Sequence, residues 1–170
     1  NPNVPFSLTN RSVKCVFIDP QCIIWLGTYQ GGLNKYDKNL TLFGLQKSRP
    51  GDATSLSSPL VTSFAEHPSG DLWVGTDGGG LHLYHRKTSR FSRVRLDSNE
   101  GTELPNPAIL CMTLAPNNQL WIGTFQEGLF RLDVATGACQ QFKTGMPQPT
   151  VNHNDIFCLK TDRTGKVWIG

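Results

Sequence analysis

The chain contains no run of 18 apolar residues and no N-terminal stretch with the basic, apolar and small-residue regions of a secretory leader. Nothing in it therefore reads as a membrane span or a signal peptide. A helical periodicity of 3.6 is also missing, which excludes helical repeats. Cysteine is sparse: five residues, an odd count without the paired spacing of a metal site, exclude a disulfide framework. Charged residues make up only 17 % and the net charge is +3. The basic residues at His85-Arg86-Lys87 and from Arg90 to Arg95 alternate with Ser, Thr and Val, as on an exposed strand. With no Lys/Arg run and no stacking aromatics beside them, this segment is not expected to bind nucleic acid. No kinase motif, phosphoacceptor histidine or nucleotide loop can be assigned. Gly78-Gly79-Gly80 lacks the Gly-x-x-x-x-Gly-Lys-Ser/Thr pattern of a phosphate cradle and reads as a turn.

Turn formers and a repeat are what the chain does have. Gly 17 and Pro 11 point to short strands joined by many turns, and 170 residues with 38 % apolar content suffice for a core. Trp73-Val74-Gly75-Thr76 recurs as Trp25-Leu26-Gly27-Thr28 48 residues earlier and Trp121-Ile122-Gly123-Thr124 48 later, and Trp168-Ile169-Gly170 follows after 47. A period of this length identifies a repeat architecture. Seventeen residues before each tryptophan stands an apolar anchor: Leu8, Leu56, Leu104 and Val151. Next come short runs rich in β-branched and aromatic residues, at Val13 to Ile18, Val61 to Phe64, Ile109 to Leu114 and Ile156 to Leu159. They are strands by length and composition. A polar turn with Pro, Asn or Gly leads to the tryptophan strand, in which Leu72 and Val74 face one side and Trp73 the other. Apolar residues on both faces predict a sheet packed between two others, with the tryptophans in the core and Gly75 admitting a close neighbour. Third strands are expected at Leu33 to Tyr36, Leu81 to Tyr84 and Leu129 to Leu132. Fourth strands are expected at Leu40 to Gln46, Arg90 to Leu96 and Ala138 to Lys143. Cys15, Cys111 and Cys158, ten residues before their tryptophans, read with Ser63 as small buried residues on equivalent strands.

Four short antiparallel strands per unit define the fold class: an all-β β-propeller of four-stranded blades. About three and a half blades are present, with repeats over 8–55, 56–103, 104–150 and a truncated 151–170. A ring closes with about 4 to 8 blades. The chain is accordingly expected to be a fragment of a larger propeller, with the remaining blades of the parent chain as its first partner and a homodimer as the other route to closure.

Leu72-Trp73-Val74-Gly75-Thr76 with Gly79-Gly80-Leu81 and Tyr84, and Trp25-Leu26-Gly27-Thr28 with Gly31-Gly32-Leu33 and Tyr36, resemble the two-component regulator propeller repeat. The third copy departs, with Glu127 in place of the first glycine of the pair and Leu132 in place of the tyrosine. The resemblance implies the periplasmic, extracytoplasmic sensor region of an inner-membrane hybrid two-component protein of the Bacteroidetes. It also implies an oligosaccharide ligand from a glycan, a signal passed to a histidine kinase, and no cofactor. A carbohydrate lyase or hydrolase on a propeller is the alternative, and a protein-interaction scaffold the third.

Trp25, Gly27, Trp73, Gly75, Trp121, Gly123 and Trp168 carry the signature and, because packing requires them, are structural. Ligand-binding residues are expected where the repeats disagree. In an up-and-down blade the turn after strand two and the link after strand four open on one face. The turns bring Tyr29, Gln30, Asp77, Phe125, Gln126 and Glu127 there, and the links bring Arg49, Asn99, Glu100 and His153. No catalytic set is expected, because Glu66, Asp71, Asp77 and Glu127 occupy non-equivalent positions. No metal is expected either: His82 and His85, three apart on a strand, face opposite sides, while His67 sits in a turn. Asp162 to Trp168 is similar to the Asp-box turn of sialidase-like propellers, with its spacing off by one.

Overall fold

A computed structural model of the chain describes residues 8–38, 42–97, 101, 103–147 and 149–170. Three antiparallel sheets of four strands follow one another in chain order. The first contains β1 (Val13–Ile18), β2 (Ile24–Thr28), β3 (Gly32–Asp37) and β4 (Leu42–Gln46). The second contains β5 (Val61–Glu66), β6 (Leu72–Thr76), β7 (Gly80–His85) and β8 (Arg90–Val94). The third contains β9 (Ile109–Leu114), β10 (Gln119–Thr124), β11 (Leu129–Asp133) and β12 (Cys139–Phe142). A fourth sheet is two-stranded, β13 (Leu159–Thr161) with β14 (Val167–Ile169). Contacts between sheets run mainly through β1, β5, β9 and β13, so these strands line the axis and β4, β8 and β12 form the outer rim. This is a β-propeller arrangement, three complete blades and the inner half of a fourth. The register of β12 follows that of the other rim strands: Cys139 opposes Leu132 as Phe91 opposes Tyr84 and Phe43 opposes Tyr36.

The close approach expected at the signature glycine is a junction between blades. A Cβ at Gly75 would lie 2.5 Å from Ser63 Oγ and 2.6 Å from Ile109 Cγ2 of the next blade. At Gly27 it would meet Cys15 Sγ at 2.5 Å and Val61 Cγ1 at 3.0 Å, and at Gly123 Cys111 Sγ at 2.5 Å and Ile156 Cγ2 at 2.7 Å. Each blade thus seats a β-branched residue of its neighbour where it has no side chain of its own. Ile109 is wholly buried there. The threonine after the glycine has a separate role. Thr28, Thr76 and Thr124 are fully buried and donate to the carbonyls of Gly32, Gly80 and Gly128 at 3.1, 2.8 and 2.6 Å, closing the turn beyond. Gly32, Gly80 and Gly128 all have φ near +78° to +79°, a region that favours glycine. Residue 127, one place earlier, is not held at positive φ, which is why a glutamate can stand there.

The tryptophans divide. Trp25 and Trp73 are buried, Trp25 edge-on to Tyr84 of the next blade at 5.4 Å between centroids. Trp121 is half-buried against Phe142. Trp168 is 64 % exposed and Cys158 is exposed, which corrects the expectation of four buried tryptophans and three buried cysteines. The reason is positional: among the described residues β13 and β14 pair only with each other, with no third strand and no following sheet over them. Cys15 and Cys111 are half-buried, and their thiols are pushed up to about 12 by burial. The turn ahead of the tryptophan is a built element in the first blade as well as the fourth. Asp162 Oδ1 accepts from Thr164 N and Lys166 N, and its Oδ2 from Trp168 Nε1 at 3.0 Å. The Thr164 hydroxyl first, then Trp168 Nε1 and the two amides, hold the Asp162 carboxyl down at about 2. Asp19 does the same for Gln21 N, Ile23 N and Trp25 Nε1, and adds Arg86 Nη1 of the next blade at 3.0 Å. In the second blade His67 takes the aspartate's place, its ring tilted against Trp73 with centroids 5.1 Å apart.

Candidate functional site at the axis mouth

The turns after the signature are pinned at the axis by one repeated bond. Tyr29 N donates to Ser12 O at 2.9 Å, Asp77 N to Leu60 O at 2.9 Å and Phe125 N to Ala108 O at 3.0 Å. Ser12, Leu60 and Ala108 immediately precede β1, β5 and β9, the strands that line the axis. Tyr29, Asp77 and Phe125 are thereby held at equivalent points around one end of the axis with unlike side chains. Tyr29 and Phe125 are each 45 % exposed. Lys14, on the inner strand, reaches over the Tyr29 ring with its ammonium 5.3 Å from the centroid. Gln30 and Gln126 follow in the left-handed region at φ 57° and 67°, exposed beside the rings.

The links join this face, as the blade geometry requires. Gln126 N donates to Asp155 Oδ1 at 2.8 Å, and Gln126, Thr144, His153 and Asp155 line a cleft of about 290 Å³. Glu127 turns outward to Lys143 at 2.9 Å and its carbonyl accepts from Gln141 Nε2. It supports the turn rather than facing the axis. Arg49 pairs with Asp52 at 3.8 Å and lines a different cleft on the outer rim. Asn99 and Glu100 lie outside the described residues.

Two buried polar residues anchor the links, Asn34, which the sequence did not single out, and His82, which it weighed only as a metal ligand. Asn34 accepts from Thr9 N at 3.2 Å, and His82, 48 residues on, accepts from Ser57 N at 3.3 Å. Phe130 fills the third equivalent position and is wholly buried. Because His82 Nε2 accepts the Ser57 amide, its proton sits on Nδ1. Burial first, and the charge of Arg93 second, push the His82 imidazole down to about 4. His82 is locked as a neutral acceptor. The signal for these anchors was present: a polar residue at the same place in the third strand of two blades, directly after the buried leucine, Leu33 or Leu81.

The carboxylates do not converge. Asp71 precedes β6 and Asp77 follows it, so they sit at opposite ends of the blade. Glu66 faces Arg86, and Glu127 faces Lys143. At the far end of blade two, His85 Nε2 lies 2.9 Å from Ser92 Oγ and Nδ1 lies 3.2 Å from Asp71 Oδ2, a Ser-His-Asp chain across three adjacent strands. Burial acts against ionisation of Asp71, but bonds from Arg86 N, His85 and Ser69 outweigh it and hold its carboxyl below the usual range. Among the described residues no group of three or more His, Cys, Asp or Glu side chains could hold a metal. No helix among them is long and apolar enough to cross a membrane.

Residues 7–30, 55–78 and 103–126 match the sequence model of the two component regulator propeller family. These segments are two-component regulator propeller repeats. Each matched segment ends within the turn that carries Tyr29, Asp77 or Phe125, so the repeat includes the point at which the blades diverge. Among solved structures the repeats resemble the extracellular domain assigned to a hybrid two component system of B. thetaiotaomicron. The TM-score is 0.80 at 28 % identity, over 99 % of this chain and 22 % of that one. An extracellular domain assigned to a one component system of the same organism gives 0.75 at 22 % identity, over 96 % and 21 %. Virginiamycin B lyase from Staphylococcus aureus shares the fold at 0.66 and 17 % identity, over 92 % of this chain and 48 % of the lyase. The chain spans about a fifth of the length of the two B. thetaiotaomicron domains. No curated protein sequence matches it.

Proposed function

We propose that these blades are the non-catalytic sensing segment of a hybrid two-component protein, displayed outside the cytoplasm. On this reading they receive a glycan-derived oligosaccharide at the axis mouth and signal across the membrane to a histidine kinase. The observation that carries the reading is the trio Tyr29, Asp77 and Phe125: fixed by equivalent main-chain bonds, yet exposed and chemically unlike. Exposed rings beside amide and carboxylate groups suit a sugar, whose apolar face stacks while its hydroxyls find polar partners. A ligand shifts a two-state equilibrium only by its differential affinity for the two states. Stacked blades with interlocked junctions transmit such a bias as one body. The extracellular neighbours and the repeat family support the placement and the role.

Calorimetry of the intact extracytoplasmic region against a panel of glycan fragments tests this. Tyr29→Ala combined with Phe125→Ala should weaken the bound fragment at least about tenfold, roughly 1.4 kcal/mol, with the melting temperature unchanged. Saccharide binding indifferent to both substitutions would remove the axis mouth from the account. The enzyme alternative has one specific observation in its favour, the Ser92–His85–Asp71 chain. Covalent labelling of Ser92 by a fluorophosphonate, lost in His85→Ala, would replace the sensor reading with an acyl hydrolase.

A further inference from the structure

The outer rim between the first and second blades carries a groove unrelated to the axis mouth. One part, about 700 Å³, is lined by Lys35, Gln46, Arg86, Lys87 and Ser89. A second part, about 400 Å³, is lined by Gln46, Lys47, Arg49, Ser89 and Arg90. Gln46 and Ser89 border both, so the two form one channel along the rim. Its cations are not demanded by the fold. Forty-eight residues on, the positions of Lys35, Arg86, Lys87 and Arg90 hold Leu83, Val134, Ala135 and Ala138, and that of Arg49 holds Asp97. Leu83 and Val134 close the next junction as part of its apolar core. The second junction therefore packs without those charges, whereas a cation stands at the position of Lys47 in every complete blade, as Arg95 and Lys143.

Some of the charge is already used. Arg86 is held by Asp19 at 3.0 Å, Lys35 by Asp37 at 3.8 Å and Arg49 by Asp52 at 3.8 Å. Asp71, also at the groove, is engaged by His85 and the Arg86 amide. Lys47, Lys87 and Arg90 are exposed and form no direct ion pair among the described residues, although the Arg90 charge acts on the nearby Asp52 carboxyl. Three further cations thus stand along a channel that also holds the paired carboxylates of Asp37, Asp52 and Asp71, and whose other polar walls are amides and hydroxyls. The rings beneath it, Trp25 and Tyr84, are 1 % and 3 % exposed, so no aromatic face is presented for stacking nucleobases.

We propose that this rim groove binds an acidic saccharide. Its sulfate or carboxylate groups would pair with Lys47, Lys87 and Arg90 while its hydroxyls bond Gln46 and Ser89. The site is separate from the axis mouth, and either can fail without the other. Calorimetry on the intact chain, with a sulfated disaccharide, a uronate disaccharide and a neutral disaccharide as probes, decides it. The expected result is binding of at least one acidic probe, at least about tenfold tighter than the neutral one and weakening as salt rises. The Lys47→Gln/Lys87→Gln/Arg90→Gln variant should lose that binding with an unchanged melting temperature, while Tyr29→Ala leaves it intact. Equal affinity for acidic and neutral probes, no binding of either acidic probe, or full affinity in the triple variant overturns the proposal. Tighter binding of a single-stranded oligonucleotide overturns it as well.

Discussion

Substituting Gly75 by alanine is the sharpest test of how these blades are held together. The added Cβ would stand 2.5 Å from Ser63 Oγ within its own blade and 2.6 Å and 3.1 Å from Cγ2 and Cβ of Ile109 in the next. Ordinary contact needs almost an ångström more. Neither neighbour can yield cheaply: Ser63 is 8 % exposed, and Ile109 is fully buried within a cluster that includes Trp73, Leu81 and Ile122. The second and third blades must therefore separate locally, and overpacking of this kind costs about 1–3 kcal/mol. For a cooperative unit of this size that lowers the melting temperature by roughly 2–10 °C. Thermal unfolding of the intact chain measures it, with Gly70→Ala as control at a site with nothing within 4 Å; that glycine has φ +86°, so a modest loss there sets the backbone baseline. The decisive comparison is a double-mutant cycle with Ile109→Ala. Alone, Ile109→Ala should cost about 2–5 kcal/mol as a cavity. In that cavity the Gly75→Ala methyl loses its clash with Ile109 Cγ2 but keeps the one with Ser63 Oγ, so its cost should fall in part, giving a coupling of about 0.5 kcal/mol or more. Strictly additive effects would show that the glycine is not a junction seat, and the packing argument for the signature would fall.

His82 makes the fold sensitive to mild acid. Its folded value of about 4 lies below the ordinary 6.5, so the neutral form is the one the fold accommodates. The associated stability is complete above about pH 6.5 and is lost as pH falls toward 4, at most about 3 kcal/mol. Urea unfolding at pH 7 and pH 4.5 should show a smaller acid loss for His82→Asn, which mimics Asn34; equal losses would refute the assignment. Asp19→Ala should destabilise by about 1–3 kcal/mol, since it leaves the buried Trp25 Nε1 without its acceptor while Arg86 keeps Glu66 and Gln21. The same change at Asp162, whose tryptophan is 64 % exposed, should have a clearly smaller effect in the same melting experiment.

The sequence by itself determined the architecture, because a blade's strands must alternate faces and its turns must reverse the chain at set intervals. A 48-residue period with Trp-x-Gly-Thr at its centre suffices for that. It also located the positions where the blades differ, since equivalent sites can be compared without coordinates. Only the tertiary structure decided what each position touches. Gly75 seats Ile109, 34 residues away, and Arg86 completes the carboxylate cage of Asp19, 67 residues away. Neither partner lies at a local spacing, because each contact arises from stacking one blade on the next. The same stacking separates four equivalent tryptophans into buried, half-buried and exposed, since burial depends on which sheet lies over a strand and not on the strand's own residues. The rim groove is the clearest case. Lys47, Lys87 and Arg90 look like scattered surface charges in one dimension, and only the junction of two blades lines them along one channel.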